Sequence, residues 1–173
     1  MNDVLLHARS ILAISPVRWL SLCQTLDARL LALPPAPKEW GAVECLQHLV
    51  DTEHGVFPVR VRALLAGLDF PAFDPDKEGT RAALTDPVAL ATEFARLRKE
   101  SLALIDTLTK DDLTRTARHM ELGMVTLEEL LHEWAGHDLM HTVQAERALM
   151  QPFIRGCGPW VGYFADHDSE KHG

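Results

Sequence analysis

Apolar residues recur at three- and four-residue intervals through most of the chain, and alternating β-branched runs are nearly absent. That periodicity predicts helices, and ten prolines mark breaks between them. The first helical segment is expected over 3–13, "DVLLHARSILA". Ser15 before Pro16 suits an N-cap followed by proline at the first helical position, so a second helix is expected over about 16–32, ending before Pro34 and Pro35. After the loop "PPAPKEW", residues 42–65 read as helix, with Trp40 and Cys45 available as a staple about Gly41 and with Pro58 expected to kink the run. A long connection rich in Gly, Pro and Asp follows over 66–85, and Asp86-Pro87 opens a helix over about 87–108. Thr126 and Glu129 form a capping box, with Val125 and Leu130 as staple, for a last helix that reaches about Met150 and stops at Pro152. The tail "PFIRGCGPWVGYFADHD" is expected to be irregular and held by aromatic anchors. These lengths predict an all-α four-helix bundle with a short extra N-terminal helical segment. The long link between the second and third main helices favours a crossover over simple up-down-up-down topology.

Candidate chemistry concentrates in "HEWAGHDLMH", residues 132–141. At about 100° per residue, Leu127, Leu130, Leu131, Trp134, His141, Ala145, Ala148 and Leu149 share one stripe, the core face. His137 lies at its edge, about 40° from His141, so the two imidazoles project together from adjacent turns. His132 and Glu133 fall away from the stripe and read as solvated. The metalloprotease pattern H-E-x-x-H fails, because its second histidine would be Gly136.

Two histidines at i, i+4 on a half-buried face make a bidentate metal grip; the alternative is a pair of neutral core histidines bonded to carbonyls. The segment "ECLQHLVDTEHG" offers a third ligand in His48, at the edge of the apolar stripe, whereas His54 points outward. His48, His137 and His141 together would leave positions open for water or substrate. Glu53 falls within the apolar stripe and needs a partner, Arg60 being the expected one; its functional alternative is a proton acceptor. Asp138 also points inward and could orient an imidazole. Cys45 reads as a small core residue. A di-iron scheme on Glu129-x-x-His132 and Asp51-x-x-His54 is discarded, since Glu129 and His132 lie on the outer face.

At 173 residues, 47% hydrophobic and 24% charged, the chain suits one soluble domain. No apolar run approaches the roughly 20 residues that span a bilayer, and the N-terminus lacks the marks of a signal peptide. Three cysteines make no disulfide framework, so a reducing cytoplasm is the expected location. A net charge of −8, with "RVRALL" the densest basic patch, argues against nucleic acid as a partner.

The segments "EWGAVECLQHLVDTEHGVFPVRVRALLAG" and "VTLEELLHEWAGHDLMHTVQAERAL" resemble the two hallmark helices of the DinB-like superfamily of metalloenzymes, which is distinct from the DNA polymerase of that name. The "SP" at 15–16 and the tail "QPFIRGCGPWVGYF" extend the resemblance to nearly the whole chain, read as one domain over 1–173. It implies up-down-down-up topology, a homodimer, and a divalent metal, zinc or nickel, on His48, His137 and His141. It further implies activity as a thiol-dependent transferase or a related enzyme, with a low-molecular-weight thiol as cosubstrate. The family's usual Ser or Thr cap after the tryptophan is Gly41 here.

The leading expectation is a metal-dependent S-transferase or hydrolase acting on a small molecule, with Glu53 and Asp138 as weak catalytic candidates. The alternatives are a stress-associated, non-catalytic metal-binding dimer and a bundle without metal. Three imidazoles alone suit zinc, nickel, copper or iron. Exposed Leu139 and Met140 are expected at a dimer interface.

Overall fold

The computed structural model describes residues 3–73 and 86–169. Its helices are α1 (Val4–Thr25), α2 (Ala28–Leu31), α3 (Ala42–Gly55), α4 (Phe57–Ala66), α5 (Pro87–Ile105) and α6 (Leu127–Gly156). Short 3-10 turns occupy Asp112–Thr114 and Gly158–Phe164. A small antiparallel hairpin, β1 (Thr116–His119) with β2 (Gly123–Thr126), precedes α6. The helical periodicity does not reveal this hairpin; its loop closes with Gly123 in the left-handed region at φ 85.

The long helices form the expected bundle, and their directions follow from which residues meet. One apolar cluster joins Trp19 and Cys23 late in α1 to Leu46 early in α3, Leu90 early in α5 and Leu149 late in α6. The other joins Val4 and Leu12 of α1 to Phe57, to Ile105 at the end of α5 and to Leu127 at the start of α6. So α1 and α6 run one way, α3 and α5 the other, which is up-down-down-up.

A buried polar layer separates the two clusters. Arg98, 1% exposed, reaches all four main helices. Its Nε donates to Glu53 Oε1 at 2.9 Å, and its Nη1 and Nη2 grip both Asp138 oxygens at 2.7 and 2.9 Å. Nη1 also donates to the Leu12 carbonyl at 3.0 Å.

That last bond explains why α1 is continuous where a break was expected. Pro16 has no N–H to give the carbonyl four residues back, which is Leu12, and an orphaned buried carbonyl is costly. Arg98 supplies the missing donor, so Ser15-Pro16 lies inside one helix and the N-terminal segment is its first half. The separate short helix is instead α2, capped by Asp27.

The expected kink at Pro58 appears as a full break at Val56, so 42–65 is two helices. The long connection proceeds from Gly67; its residues 74–85 lie outside the described ones. The helix from Pro87 ends at Ile105, capped at its start by Asp86.

Pro152 does not stop α6 either. Buried Gln151 binds the tail back onto the helix, donating to the Arg147 and His167 carbonyls at 2.8 and 2.9 Å and accepting from the Ser169 N–H at 3.1 Å. The tail is therefore held by this polar clamp, and its aromatic residues Phe153, Trp160 and Tyr163 are exposed. Among the described residues no helix is long and apolar enough to cross a membrane.

Candidate metal centre

Two helices present the three histidines. Capping fixes the start of α3: Gly41 N–H donates to the Glu44 carboxylate at 2.7 Å. An added Cβ at Gly41 would lie 2.9 Å from the Leu33 carbonyl oxygen, so the α2–α3 connection admits glycine where the resemblance expects Ser or Thr. The start of α6 is fixed by the expected capping box: Glu129 N–H donates to Thr126 Oγ1 at 3.2 Å and Thr126 N–H to Glu129 at 2.7 Å.

From these anchored helices His48, His137 and His141 converge between α3 and α6, with one nitrogen of each within 4.8 Å of the others. His48 Nε2 and His137 Nε2 are 3.1 Å apart. His141 Nδ1 lies 2.9 Å from Gln144 Oε1, which places the proton on Nδ1 and leaves the Nε2 lone pair for the cluster. Aromatic rings enclose the site. Trp40 stands 5.1 Å from the His48 ring and stacks on His141 at 6.0 Å, and Phe57 meets His137 edge-on at 5.1 Å.

Burial, and then the neighbouring imidazole, pushes His48 down to about 4. Burial with both partner histidines pushes His137 down to about 3. Burial also lowers His141, against the pull of Gln144 and Asp138. All three imidazoles are thus neutral near neutral pH.

The donor set fits a divalent cation. Two nitrogens each ~2.1 Å from one ion stand roughly 3.0–3.4 Å apart at coordination angles of about 90–109°, and the His48–His137 separation falls in that range. The Nδ1 atoms of His48 and His137 are buried without a partner. A neutral pair facing through Nε2 is therefore poorly satisfied by hydrogen bonds alone. Asp138 favours positive charge on His141, while Arg98 and Arg60 disfavour it on His137.

The other candidates fall elsewhere. Glu53 pairs with Arg98 rather than Arg60, and also accepts from Ser101 Oγ at 2.5 Å and Trp134 Nε1 at 3.1 Å. Asp138 is held by Arg98 and orients no imidazole by a hydrogen bond. Trp134 is buried and stacks on Phe57 at 5.0 Å. His132 is exposed, and His54 is an exposed partner of Glu93 at 3.5 Å. Cys45 is fully buried, its thiol pushed up to about 12 by burial. Sequence reasoning missed Arg98 and Gln144; the i, i+3 spacing from His141 was a usable signal for Gln144.

Among the described residues, two openings reach the cluster. A cavity of about 270 Å³ is lined by His48, His137, Thr52, Phe57 and Arg60. A wider cleft of about 670 Å³ reaches His141 past Trp40, Gln144 and Arg147.

Fold and site together define a four-helix bundle with an interhelical three-histidine cluster. The chain belongs to the DinB superfamily, whose family model matches residues 11–145. Among solved structures it is similar to YfiT from Bacillus subtilis, with a TM-score of 0.72 at 20% identity, covering 88% of this chain and 90% of that one. YfiT is described as a probable metal-dependent hydrolase with an unusual four-helix bundle topology; the likeness establishes the fold. No curated protein matches the chain.

Proposed function

We propose that the protein is a divalent-metal-dependent enzyme acting on a small molecule, with His48, His137 and His141 holding zinc or nickel. The observation that carries this reading is the convergence of three neutral imidazoles, two buried and one half-buried, beside an open cavity. The description of YfiT as a metal-dependent hydrolase supports it. A cation held there acts as a Lewis acid that polarises a carbonyl or acidifies a water or thiol.

The chain's own residues set the rest. Gln144 fixes the His141 tautomer, the Arg98 layer holds α3 and α6 in register, and Trp40 and Phe57 keep the imidazoles dry. No cysteine is placed as a nucleophile. Burial pushes Cys23 up to about 11 and Cys45 up to about 12. Cys157 caps α6, about 24 Å along the axis from His141. The attacking group is therefore a water, for hydrolysis, or a low-molecular-weight thiol brought in from outside, for S-transfer.

The test assays metal-loaded and metal-free protein on activated esters and amides, and on alkyl halides with added thiols. Turnover that needs the metal and disappears in His137→Ala is expected. A loaded protein inert to both panels supports a non-catalytic metal-binding bundle instead. The exposed strip Leu139, Met140 and Val143 on α6 supports a homodimer.

A further inference from the structure

The wider cleft at His141 runs between the turn that precedes α3 and the middle of α6. Its charged lining residues are Lys38 and Glu39, both exposed, and Arg147, which is half-buried. Two cations against one carboxylate leave this lining positive, in a chain whose net charge is −8. Among the described residues neither Lys38 nor Arg147 has an ion-pair partner, and Glu39 reaches neither of them. The Arg147 Nε is enclosed and meets no acceptor.

An enclosed N–H without an acceptor is costly, and other arginines of this chain show what satisfies that edge of the guanidinium. Arg9, Arg29 and Arg96 each grip both oxygens of one carboxylate through Nε and Nη2. Arg147 carries the same fork with no carboxylate from the described residues to fill it. Gln144, one turn back on α6, accepts from His141 Nδ1 through its Oε1 and so keeps its amide N–H groups as donors. The cleft therefore offers donors along α6 and a second cation across from them.

We propose that this cleft binds a small organic acid, its carboxylate held by the Arg147 fork beside Lys38 and its apolar body lying against Trp40. The planar guanidinium matches the geometry of a carboxylate. One excess positive charge also matches a carboxylate more closely than the roughly −2 of a phosphate monoester. A cleft of about 670 Å³ holds a small molecule. Arg147 lies about 9 Å along the helix axis from His141, so a short carbon chain spans from the carboxylate to the histidine. Trp40, stacked on His141, forms one wall. Met140 and Val143, part of the α6 strip read above as a dimer face, form the other. The proposal deepens the enzymatic reading by naming a substrate class, and rests on it only for what happens at His141.

Butyrate is the probe, titrated into metal-free protein so that no ion can take the carboxylate itself. Ionic strength and protein concentration are held constant, and the Arg147 Nε–H and Trp40 indole N–H resonances are the readouts. The expected result is a saturable shift of both with butyrate and none with butyramide, its neutral analogue. Affinity should fall at least about tenfold in Arg147→Gln, followed at Trp40, and by less in Arg147→Lys and Lys38→Gln. Amide spectra check that the variants are folded, and the comparison of butyrate with butyramide stands on the wild type alone. No saturable shift, equal binding of butyramide, tighter binding of inorganic phosphate than of butyrate, or equal affinity in Arg147→Gln overturns the proposal. Failure of the metal reading shows separately, as a protein that takes up no ion while still binding butyrate.

Discussion

Arg98 shows how much one side chain can settle. It satisfies two buried carboxylates and the carbonyl that Pro16 leaves open, and it touches the aromatic faces of Phe94 and Trp134 at 4.8 and 5.6 Å. Replacing it with methionine keeps the volume but leaves Glu53 and Asp138 buried without a cation. Arg98→Met should therefore cost about 3–5 kcal/mol, read as a lower urea midpoint; a loss under about 1 kcal/mol would show the layer to be incidental. The sequence reveals a buried acid at Glu53 because its helical position is fixed by the apolar stripe. Its partner is not legible, since Arg98 lies 45 residues away on another helix and nothing local distinguishes it from a solvated arginine.

Among the elements, proline is the signal that misleads. Pro87 marks a helix start as expected and Pro58, expected to kink a helix, begins a new one, but Pro16 and Pro152 sit inside helices. The bonds that accompany these two prolines come from distant residues, Arg98 in one case and the tail clamped by Gln151 in the other. Capping, by contrast, is local chemistry, and the Thr126–Glu129 box appears where the sequence places it. The α2–α3 connection carries its own prediction. Gly41→Ala puts a Cβ 2.9 Å from the Leu33 oxygen and 3.2 Å from its carbon, both backbone atoms. A loss of about 1–3 kcal/mol is expected, visible as a lower melting temperature; an unchanged melting temperature would mean that the connection yields freely.

At the scale of the whole molecule, the histidine cluster was legible because 3.6-residue periodicity fixes which side chains share a face. The direction of each helix then brings His48 to His137 and His141. The contact of Arg60 Nη2 with His119 Nε2 at 3.4 Å was not, because it depends on a hairpin of two four-residue strands. The cluster also makes the bundle acid-sensitive. In the metal-free protein His48 and His137 titrate at about 4 and about 3, below the unfolded value of 6.5. The unfolded chain then binds more protons in that window, so stability is full above about 6.5 and falls as the pH drops toward about 4. The urea midpoint of metal-free protein should decline over that range, and less steeply in His48→Gln; equal slopes in the two proteins would contradict the assignment of these pKa values.

The most direct test quantifies metal in protein purified without a histidine tag. Stoichiometric divalent metal is expected in the wild type and in His132→Ala, falling to trace levels in His48→Ala, His137→Ala and His141→Ala, each checked for folding. Wild-type protein that takes up no zinc or nickel, or His137→Ala protein that keeps a full complement, would contradict the account.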